Sequence, residues 1–354
     1  MKIIRQNTGV DVDSAELKVS LQFLLEDLSI KVVTSGTFPN TLKGFKALLK
    51  HLSRFITPDL PLHLTMEVTG VYYEELAYFL QEKENIIVHV ELPNTTAAFK
   101  KSLNQKSKTD ILDARMLGQL GAERKLKVWK PISKQMRKIK KLSRERLRIG
   151  KERTMVSNQL HAEKASFDSC ESSIRRYQQR IDFLNMQEKE ILSELKNCVA
   201  QDADLQQRID NVCTAKGIAF KTAIGLAAET DGFVLVKNRN QLMSYAGYDV
   251  TQRESGTSIK GKTKISKKGN AYIRQILHMP AMSAVQHDEH HKAYYHRIVS
   301  KSGIKMKANV AIQRKLLLLA YSLFTKNEPF DPKYAEKRKA KLKPKKYRLL
   351  EQNL

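Results

Sequence analysis

The order of predicted strands and helices in residues 1–91 constrains the fold more than any other feature of this chain. Short stretches rich in β-branched and aromatic residues, bounded by polar turns, predict strands, and apolar residues at helical spacing predict helices. In order, the elements are strands at 3–12, 17–24 and 30–38, a helix at 41–52, a strand at 62–68, a helix at 72–81 and a strand at 86–90. The pattern predicts an α/β domain built on one sheet.

Three strands followed by alternating helices and strands is the order of a ribonuclease H-like sheet, and four acidic residues fit that topology. Asp11 lies between two valines of the first strand, so its carboxylate projects from the face opposite to theirs. Glu67 lies in the same way in the fourth strand, which neighbours the first in such a sheet. Asp110 and Asp113 are three positions apart, which stacks them on one face of a helix. We therefore expect the four carboxylates to converge.

Carboxylates that converge repel one another unless a cation lies between them. Hard divalent cations prefer oxygen ligands, and we predict that Asp11, Glu67, Asp110 and Asp113 bind Mg²⁺. A pair of such ions about 4 Å apart can hold phosphate oxygens and stabilise both the attacking and the leaving group. Each acid also has a simpler explanation: Asp110 as a helix cap, Asp113 as an ion-pair partner one turn away, and Glu67 as a turn residue.

The positive charge of the chain is concentrated in separate blocks. The 354 residues include 63 Lys and Arg and 37 Asp and Glu, a net charge of +26. Residues 1–100 have a net charge of −2, whereas residues 101–150 have +12 and residues 301–354 have +11. Basic blocks indicate surfaces that face phosphates, although solvated lysines are the alternative. The predicted nucleic-acid-binding residues are Arg137, Lys138, Lys141, Arg144 and Arg148 in one helix, and Lys260, Lys262, Lys264, Lys267 and Lys268 in a later loop.

A long helical region is predicted between residues 131 and 210, where Gly150 is the only glycine. Apolar residues or Cys occupy nine of eleven heptad positions from 174 to 209, and Glu188 and Asp202 interrupt this seam. The rhythm indicates a helical hairpin or coiled coil that serves dimerisation or spacing. A helix packed against its own domain is the alternative.

The three cysteines have no spacing typical of a zinc site or a disulfide framework, which favours a reducing compartment, most simply the cytoplasm. The beginning of the chain lacks an apolar segment typical of a signal peptide. No apolar run approaches the roughly 20 residues that span a bilayer. We therefore expect a cytoplasmic protein that is neither secreted nor inserted in a membrane.

Six short motifs occur in a fixed order at 9–14, 67–70, 108–115, 244–247, 254–256 and 265–270. In order and spacing they resemble the DEDD-type insertion-sequence transposases with a C-terminal serine, the "one-ten" insertion-sequence family of RNA-guided bridge recombinases. The resemblance implies a RuvC-like nuclease domain with the four acids as magnesium ligands, and a transposase domain with Ser255 as the catalytic nucleophile. One departure is that Thr257, Ser258 and Ile259 replace part of a Gly-rich run, which leaves Ser258 as a rival nucleophile.

The resemblance also implies partners. The protein would act on donor and target DNA, would be guided by a structured non-coding RNA, and would assemble as a homo-oligomer, a dimer or a tetramer in the synaptic complex. Ser255 would attack a DNA phosphate and form a phosphoserine link that retains the bond energy for strand exchange.

The chain is accordingly predicted to contain a RuvC-like domain at 1–128, coiled-coil helices at 129–210, a mostly helical serine transposase domain at 211–325 and a basic tail at 326–354. The predicted function is that of a transposase that cuts and rejoins DNA. Two alternatives stay open. One is a metal-dependent, structure-specific nuclease resembling a junction resolvase, in which water attacks and Ser255 only contacts phosphate. The other is a nucleic-acid-binding protein whose acidic cluster is structural.

Overall fold

The structure is a computed structural model. It describes residues 1–334 except positions 69, 105, 106, 108, 253, 256–258 and 262, and of residues 254, 255, 259 and 260 it describes the backbone alone. The chain divides into two compact units, with the boundary between Pro131 and Ile132. The finer division of the second unit into three regions stays a prediction.

The first unit is built on a five-stranded mixed sheet. Its strands are β1 (Ile3–Val12), β2 (Glu16–Leu25), β3 (Ile30–Pro39), β4 (Leu62–Glu67) and β5 (Ile86–Glu91). They lie in the order β3-β2-β1-β4-β5 across the sheet. The first three strands pair antiparallel, because short turns join them, whereas β4 pairs parallel with both β1 and β5, because helices connect these strands. This arrangement confirms the predicted ribonuclease H-like fold class.

Four helices accompany the sheet: α1 (Leu42–Leu52), α2 (Glu74–Gln81), α3 (Pro93–Ser102) and α4 (Asp110–Glu123). The fully buried residues Phe45 and Leu48 of α1 are three positions apart and share one face of the helix. They belong to a single core together with Val10, Leu21 and Leu64 of the sheet. The helix α4 packs across β1 and β2. This contact places the beginning of α4 near the end of β1.

Two neighbouring strands of the sheet carry a pair of parallel imidazoles, with the ring centres of His63 and His89 5.2 Å apart and the ring planes inclined by 5°. The Nδ1 atom of His89 lies 2.8 Å from the carbonyl oxygen of Lys127, to which it donates. Neutral His89 therefore accepts at Nε2 from His63 Nδ1, 2.9 Å away. Burial, followed by the charges of His89 and Arg5, lowers the pKa of His63 to about 4. His63 is therefore neutral at pH 7.

The second unit begins with a hairpin of two long helices, α5 (Lys134–Ala165) and α6 (Glu171–Ala200), which pack against each other. The heptad residues Leu184, Ile191 and Leu195 of α6 are buried. This part of the predicted seam is therefore covered within the described chain. The interruption at Asp202 marks a helix boundary, since its side chain accepts a hydrogen bond from the backbone N–H of Leu205, 3.0 Å away, and caps the next helix.

The other interruption of the seam, Glu188, is the centre of a buried cluster of ion pairs. Its carboxylate lies 2.5 Å from Arg153, 2.8 Å from Lys221 and 3.7 Å from Arg146. Burial acts to raise the pKa of Glu188, but Lys221 and Arg153 hold it below its ordinary value. The charged residue therefore joins α5, α6 and the helix that carries Lys221.

The remaining helices of the second unit are α7 (Ala203–Cys213), α8 (Phe220–Thr230), α9 (Arg239–Tyr245), α10 (Ala271–His287), α11 (Glu289–Ser302) and α12 (Lys305–Lys326). Four two-residue strands, β6 (Val250–Thr251), β7 (Glu254–Ser255), β8 (Ile259–Lys260) and β9 (Lys264–Ile265), pair as β6 with β9 and β7 with β8. Ile224, Leu277 and Leu316, from α8, α10 and α12, are fully buried in one core. Among the helices that the structure describes, none combines the length and apolarity needed to cross a bilayer.

Candidate active site

Two of the predicted acids lie at the same edge of the sheet. Asp11 follows Val10 in β1, and Glu67 follows Met66 in β4, while Val10 and Met66 form the last register pair of these parallel strands. Val10 and Met66 are fully buried, whereas Asp11 and Glu67 are half-buried. The alternation of side chains along a strand therefore turns both carboxylates to the other face of the sheet.

The other two acids reach this edge because Gly9 lets α4 lie directly on β1. A Cβ atom added at Gly9 would lie 2.0 Å from the carbonyl oxygen of Ala114 and 2.1 Å from the backbone nitrogen of Gly118. No side chain fits in that space. Asp110 and Asp113 occupy the first turn of α4, where negative charge is favoured by the helix dipole. The cap of this helix is Thr109, whose hydroxyl accepts from the N–H of Leu112, so Asp110 is not the cap.

The charges of the other three predicted acids act on Asp11. Burial, followed by the charges of Asp110, Asp113, Glu67 and Asp13, raises the pKa of Asp11 to about 6. The cluster therefore concentrates negative charge, which a cation would neutralise. Sequence reasoning did not count Asp13 among the site residues, although it lies two positions after Asp11 in the first motif.

Two side chains of α3 engage the acids, and sequence reasoning missed both. The hydroxyl of Thr96 donates a hydrogen bond to Glu67, and the ammonium group of Lys100 forms an ion pair with Asp113. Thr96 and Lys100 are four positions apart, so they lie on one face of α3. The one sequence signal for Thr96 and Lys100 was their four-residue spacing in a helix that follows a strand ending in a charged residue.

The other acids are close enough to Asp11 to raise its pKa, but the described carboxylates do not form a closed metal cage. Within the described part of the chain, no three His, Cys, Asp or Glu side chains are placed to share one metal ion. Glu67 is turned to Thr96, and Asp113 to Lys100. The four-acid metal site therefore stays a prediction. The donor set fits a hard divalent cation, because carboxylate oxygens are its preferred ligands and Lys100 already supplies a positive charge there.

The predicted nucleophile lies in the second unit. The backbone of Ser255 belongs to β7, and its side chain lies outside the described residues, as does Ser258 entirely. In the basic loop, Lys264, Lys267 and Lys268 are exposed. Lys260 is described by its backbone in β8, and Lys262 lies outside the description. The same holds for most of the predicted basic tail, since the description ends at residue 334.

The predicted nucleic-acid-binding residues of α5 differ in what they contact. Lys141 and Arg148 are exposed, Arg137 is half-buried, and Lys138 forms an exposed ion pair with Glu194 at 2.7 Å. Such an exposed pair is weak and leaves the ammonium group accessible. Lys138, Lys141 and Arg148 thus keep a surface position that suits a phosphate backbone.

Arg144, the fifth predicted residue of this helix, is engaged inside the second unit. Its guanidinium donates two hydrogen bonds to Glu229, from Nε at 2.7 Å and from Nη2 at 2.9 Å. Asn270 donates a third to the same carboxylate at 2.7 Å, and the guanidinium lies 4.2 Å from the ring centre of Tyr272. Burial acts to raise the pKa of Glu229, but Arg144 and Asn270 hold it below its ordinary value. These contacts account for Arg144 without nucleic acid.

Comparison with protein families and individual proteins gives matches in both units. Residues 8–163 match a family described as a transposase of the DEDD type, and residues 209–296 match the family described as transposase IS116/IS110/IS902. Two curated relatives are the pilin gene-inverting proteins of Moraxella bovis and Moraxella lacunata. Each is 29% identical over 305 residues, which cover 85% of this chain and 91% of the relative.

Solved structures of junction-resolving enzymes are similar to part of the chain. The RuvC protein of T. thermophilus in complex with a Holliday junction substrate is 11% identical with a TM-score of 0.25, and covers 32% of this chain and 90% of its own. The fowlpox virus Holliday junction resolvase is 19% identical with a TM-score of 0.25, and covers 33% of this chain and 94% of its own. The sheet order, the acid-bearing edge and the two family matches lead to one conclusion: the chain belongs to the IS110-type DEDD transposase family and is a DNA transposase with a RuvC-like first unit.

Proposed function

We propose that this transposase cuts and rejoins DNA strands through Ser255 as the nucleophile and a Mg²⁺ site formed by Asp11, Glu67, Asp110 and Asp113. The observation that carries the proposal is the convergence of these acids from β1, β4 and α4, which together with burial raises the pKa of Asp11 to about 6. Such an accumulation of carboxylates is unfavourable without a cation, and Mg²⁺ takes carboxylate oxygens as ligands.

Several residues of the chain have separate roles in the proposed reaction. Bound Mg²⁺ supplies positive charge that neutralises a phosphate during displacement. Thr96 orients Glu67 through its hydrogen bond, and Lys100 balances the charge of Asp113 through its ion pair. The hydroxyl oxygen of Ser255 attacks the phosphorus atom, the bond to the departing DNA oxygen breaks, and the hydroxyl proton is transferred to that oxygen. The resulting phosphoserine ester keeps the bond energy, so attack by the oxygen of another strand rejoins DNA and releases the serine.

The rest of the proposal concerns partners. Donor and target DNA would lie against exposed cations of the second unit, which include Lys141, Arg148, Lys264, Lys267 and Lys268. A structured non-coding RNA would guide the choice of target by base pairing, and the working form would be a homo-oligomer, a dimer or a tetramer. Both of these steps are what the resemblance of the sequence motifs to RNA-guided bridge recombinases implies.

The experiment uses the full chain, end-labelled DNA that carries the ends of its insertion sequence, RNA transcribed from the flanking DNA, and Mg²⁺. Covalent protein–DNA adducts are separated from cleaved DNA on denaturing gels. We expect an adduct with the native chain and with Ser258→Ala, none with Ser255→Ala, and neither adduct nor cleavage with Asp11→Asn. The control for Asp11→Asn is Asp27→Asn, an acid in the turn that follows β2.

Each outcome has a defined meaning. Cleavage without an adduct in Ser255→Ala would replace the proposal by a nuclease in which water attacks. Full adduct formation in Asp11→Asn would remove the acidic cluster from the chemistry. Omission of the RNA tests guidance, since an unguided enzyme would act equally well without it.

A further inference from the structure

A cleft of about 690 Å³ opens in the second unit, lined mainly by α5, α10 and α12 and by the segment that connects β9 to α10. Its volume lies within the range of pockets that hold small molecules, roughly 300–1,000 Å³. All of its lining residues belong to the second unit, and none is an acid of the predicted metal site. The cleft is therefore a separate feature.

The lining carries an excess of positive charge. Five of its residues are Arg or Lys, and the one carboxylate is that of Glu188. The five cations are Arg146, Lys151, Arg153, Lys267 and Arg274. Glu188 is already shared with Lys221, which does not line the cleft. An anion is the ligand that this lining favours.

Arg146 has hydrogen-bonding capacity that the described chain does not use. Its side chain is 13% exposed, and its nearest carboxylate oxygen, on Glu188, is 3.7 Å away, beyond hydrogen-bonding distance. The buried Nε atom of Arg146 has no hydrogen-bond acceptor among the residues that the structure describes. A buried guanidinium with an unmatched donor favours a phosphate, whose oxygens accept several hydrogen bonds.

Gly150 keeps one wall of the cleft open. It lies in the interior of α5, where glycine destabilises a helix relative to alanine, so its presence calls for a reason. Packing gives none, because a Cβ atom added at Gly150 would meet nothing within 4 Å. The open space at Gly150 leaves room for a ligand to approach the backbone of α5.

The cleft also has an apolar wall that suits a flat ring. Met279 of α10 and Met306 of α12 line it and are 66% and 57% exposed, which is unusual for large apolar side chains. Thioether sulfurs make favourable contacts with aromatic rings. A basic lining beside exposed methionines matches a nucleotide, which joins a phosphate to a planar base. A base paired inside a duplex cannot enter such a cleft, because it must first leave the stack.

We propose that this cleft binds one unpaired nucleotide of a nucleic-acid strand, with its phosphate against Arg146, Lys151 and Lys267 and its base against Met279 and Met306. The proposal rests on the proposed function only in that both involve nucleic acid. It gives the predicted nucleic-acid-binding residue Lys267 a defined contact. The strand can come from DNA displaced during recombination or from a loop of RNA, since both present the same phosphate and base.

The test measures binding of three fluorescent probes by anisotropy: eight deoxythymidines, eight uridines and a duplex without unpaired ends. The variant Gly150→Met fills the cleft from α5, and Asn158→Met adds the same side chain at an exposed position of that helix outside the cleft. We expect Gly150→Met to bind the preferred single strand about tenfold more weakly, the size expected for loss of one stacked base, and to bind the duplex unchanged. Asn158→Met should match the native chain.

A second variant guards against an effect of folding. Met306→Glu places a negative charge on the apolar wall at an exposed side chain, and it should weaken single-strand binding by a similar factor while the thermal unfolding curve stays unchanged. The probe that suffers the larger loss, deoxythymidine or uridine, identifies the source of the strand. The proposal would be overturned if both variants bound both single strands with native affinity. It would also be overturned if the protein bound free AMP but neither single strand.

This test and that of the proposed function fail separately. The adduct assay reports on the acids of the first unit, whereas the anisotropy assay compares variants of the cleft in the second unit. A chain that loses cleavage through Asp11→Asn but binds single strands normally in Gly150→Met would retain the proposed function and lose the cleft proposal. The opposite pattern would retain the cleft alone.

Discussion

Replacement of Arg144 by alanine tests whether this residue serves nucleic acid or the stability of the second unit. The side chain of Glu229 is 1% exposed, whereas that of Arg144 is 36% exposed. Of the three hydrogen bonds that described Arg and Asn side chains donate to the Glu229 carboxylate, Arg144→Ala removes two and leaves the one from Asn270. The variant must therefore keep a buried carboxylate without its guanidinium partner.

The size of the effect follows from that burial. Breaking a buried ion pair by removing one partner lowers the free energy of unfolding by about 3–5 kcal/mol. Loss of the contact between Arg144 and the Tyr272 ring adds about 0.5–1 kcal/mol. We expect a loss of roughly 4 kcal/mol for Arg144→Ala. Glu229→Gln should lose less, about 2 kcal/mol, because water can reach the guanidinium that it leaves behind.

The dependence on pH has a defined sign. In Arg144→Ala we expect burial, the largest influence on Glu229, to raise its pKa above the ordinary value of 4.5. The folded variant then binds a proton more readily than the unfolded chain, so its loss of stability is full at pH 7 and shrinks as the pH falls toward 4.5. In the native chain, Glu229 has a lowered pKa, and its contribution is lost only below 4.5.

The assay is urea denaturation followed by two probes. Far-ultraviolet circular dichroism reports mainly the helices, whereas the single tryptophan, Trp129, packs edge-on against Tyr78 in the first unit. Arg144→Ala should move the dichroism transition to lower urea and leave the tryptophan transition in place. Arg148→Ala, an exposed control in the same helix, should move neither. Native stability of Arg144→Ala together with weakened DNA binding would refute this reasoning and favour the role predicted from sequence.

Three further predictions concern the first unit. Lys100→Met should tighten Mg²⁺ binding about fivefold by titration calorimetry, because a competing charge worth roughly 1 kcal/mol is removed, while exposed Lys101→Met should not. Lowering the pH from 7 to 5 should destabilise the native sheet relative to that of His63→Gln by about 1–2 kcal/mol in the Trp129 transition, because the folded pKa of His63 is about 4 and the unfolded chain takes up the proton first. The comparison with His63→Gln removes the opposite contribution of Asp11, whose folded pKa is raised to about 6. Gly9→Ala should cost about 3 kcal/mol by the same assay and weaken Mg²⁺ binding, whereas Gly36→Ala, whose added Cβ would meet only the Phe38 ring at 3.1 Å, should cost less than about 1 kcal/mol.

The sheet could be predicted from sequence because its signals are local. The strand spacing, the polar turns and the flanking valines of Asp11 depend on near neighbours along the chain, and the structure confirms the fold class. The order of elements also brought Asp11 and Glu67 to one sheet edge. Predictions of this kind succeed where a residue's environment is determined by its own element.

The partners of the site residues depend on contacts between distant segments, and sequence gave no access to them. Lys100 pairs with Asp113 from another helix, and Arg144 pairs with Glu229, 85 positions away. A basic helix looks the same in sequence whether its cations face solvent or a buried carboxylate. Glu188 likewise interrupts the heptad seam for a reason that the sequence does not show, which is its ion pairs with Arg153 and Lys221.

The contact between Gly9 and α4 has a consequence for the time at which the chain acquires its acidic pocket during synthesis. Asp11 leaves the ribosome early, but Asp110 and Asp113 join it only after α4 has emerged and settled on β1. Any shorter nascent fragment holds an incomplete set of carboxylates. If the acids act as proposed, an unfinished chain cannot cut DNA, because the carboxylates come together only after the first unit has folded.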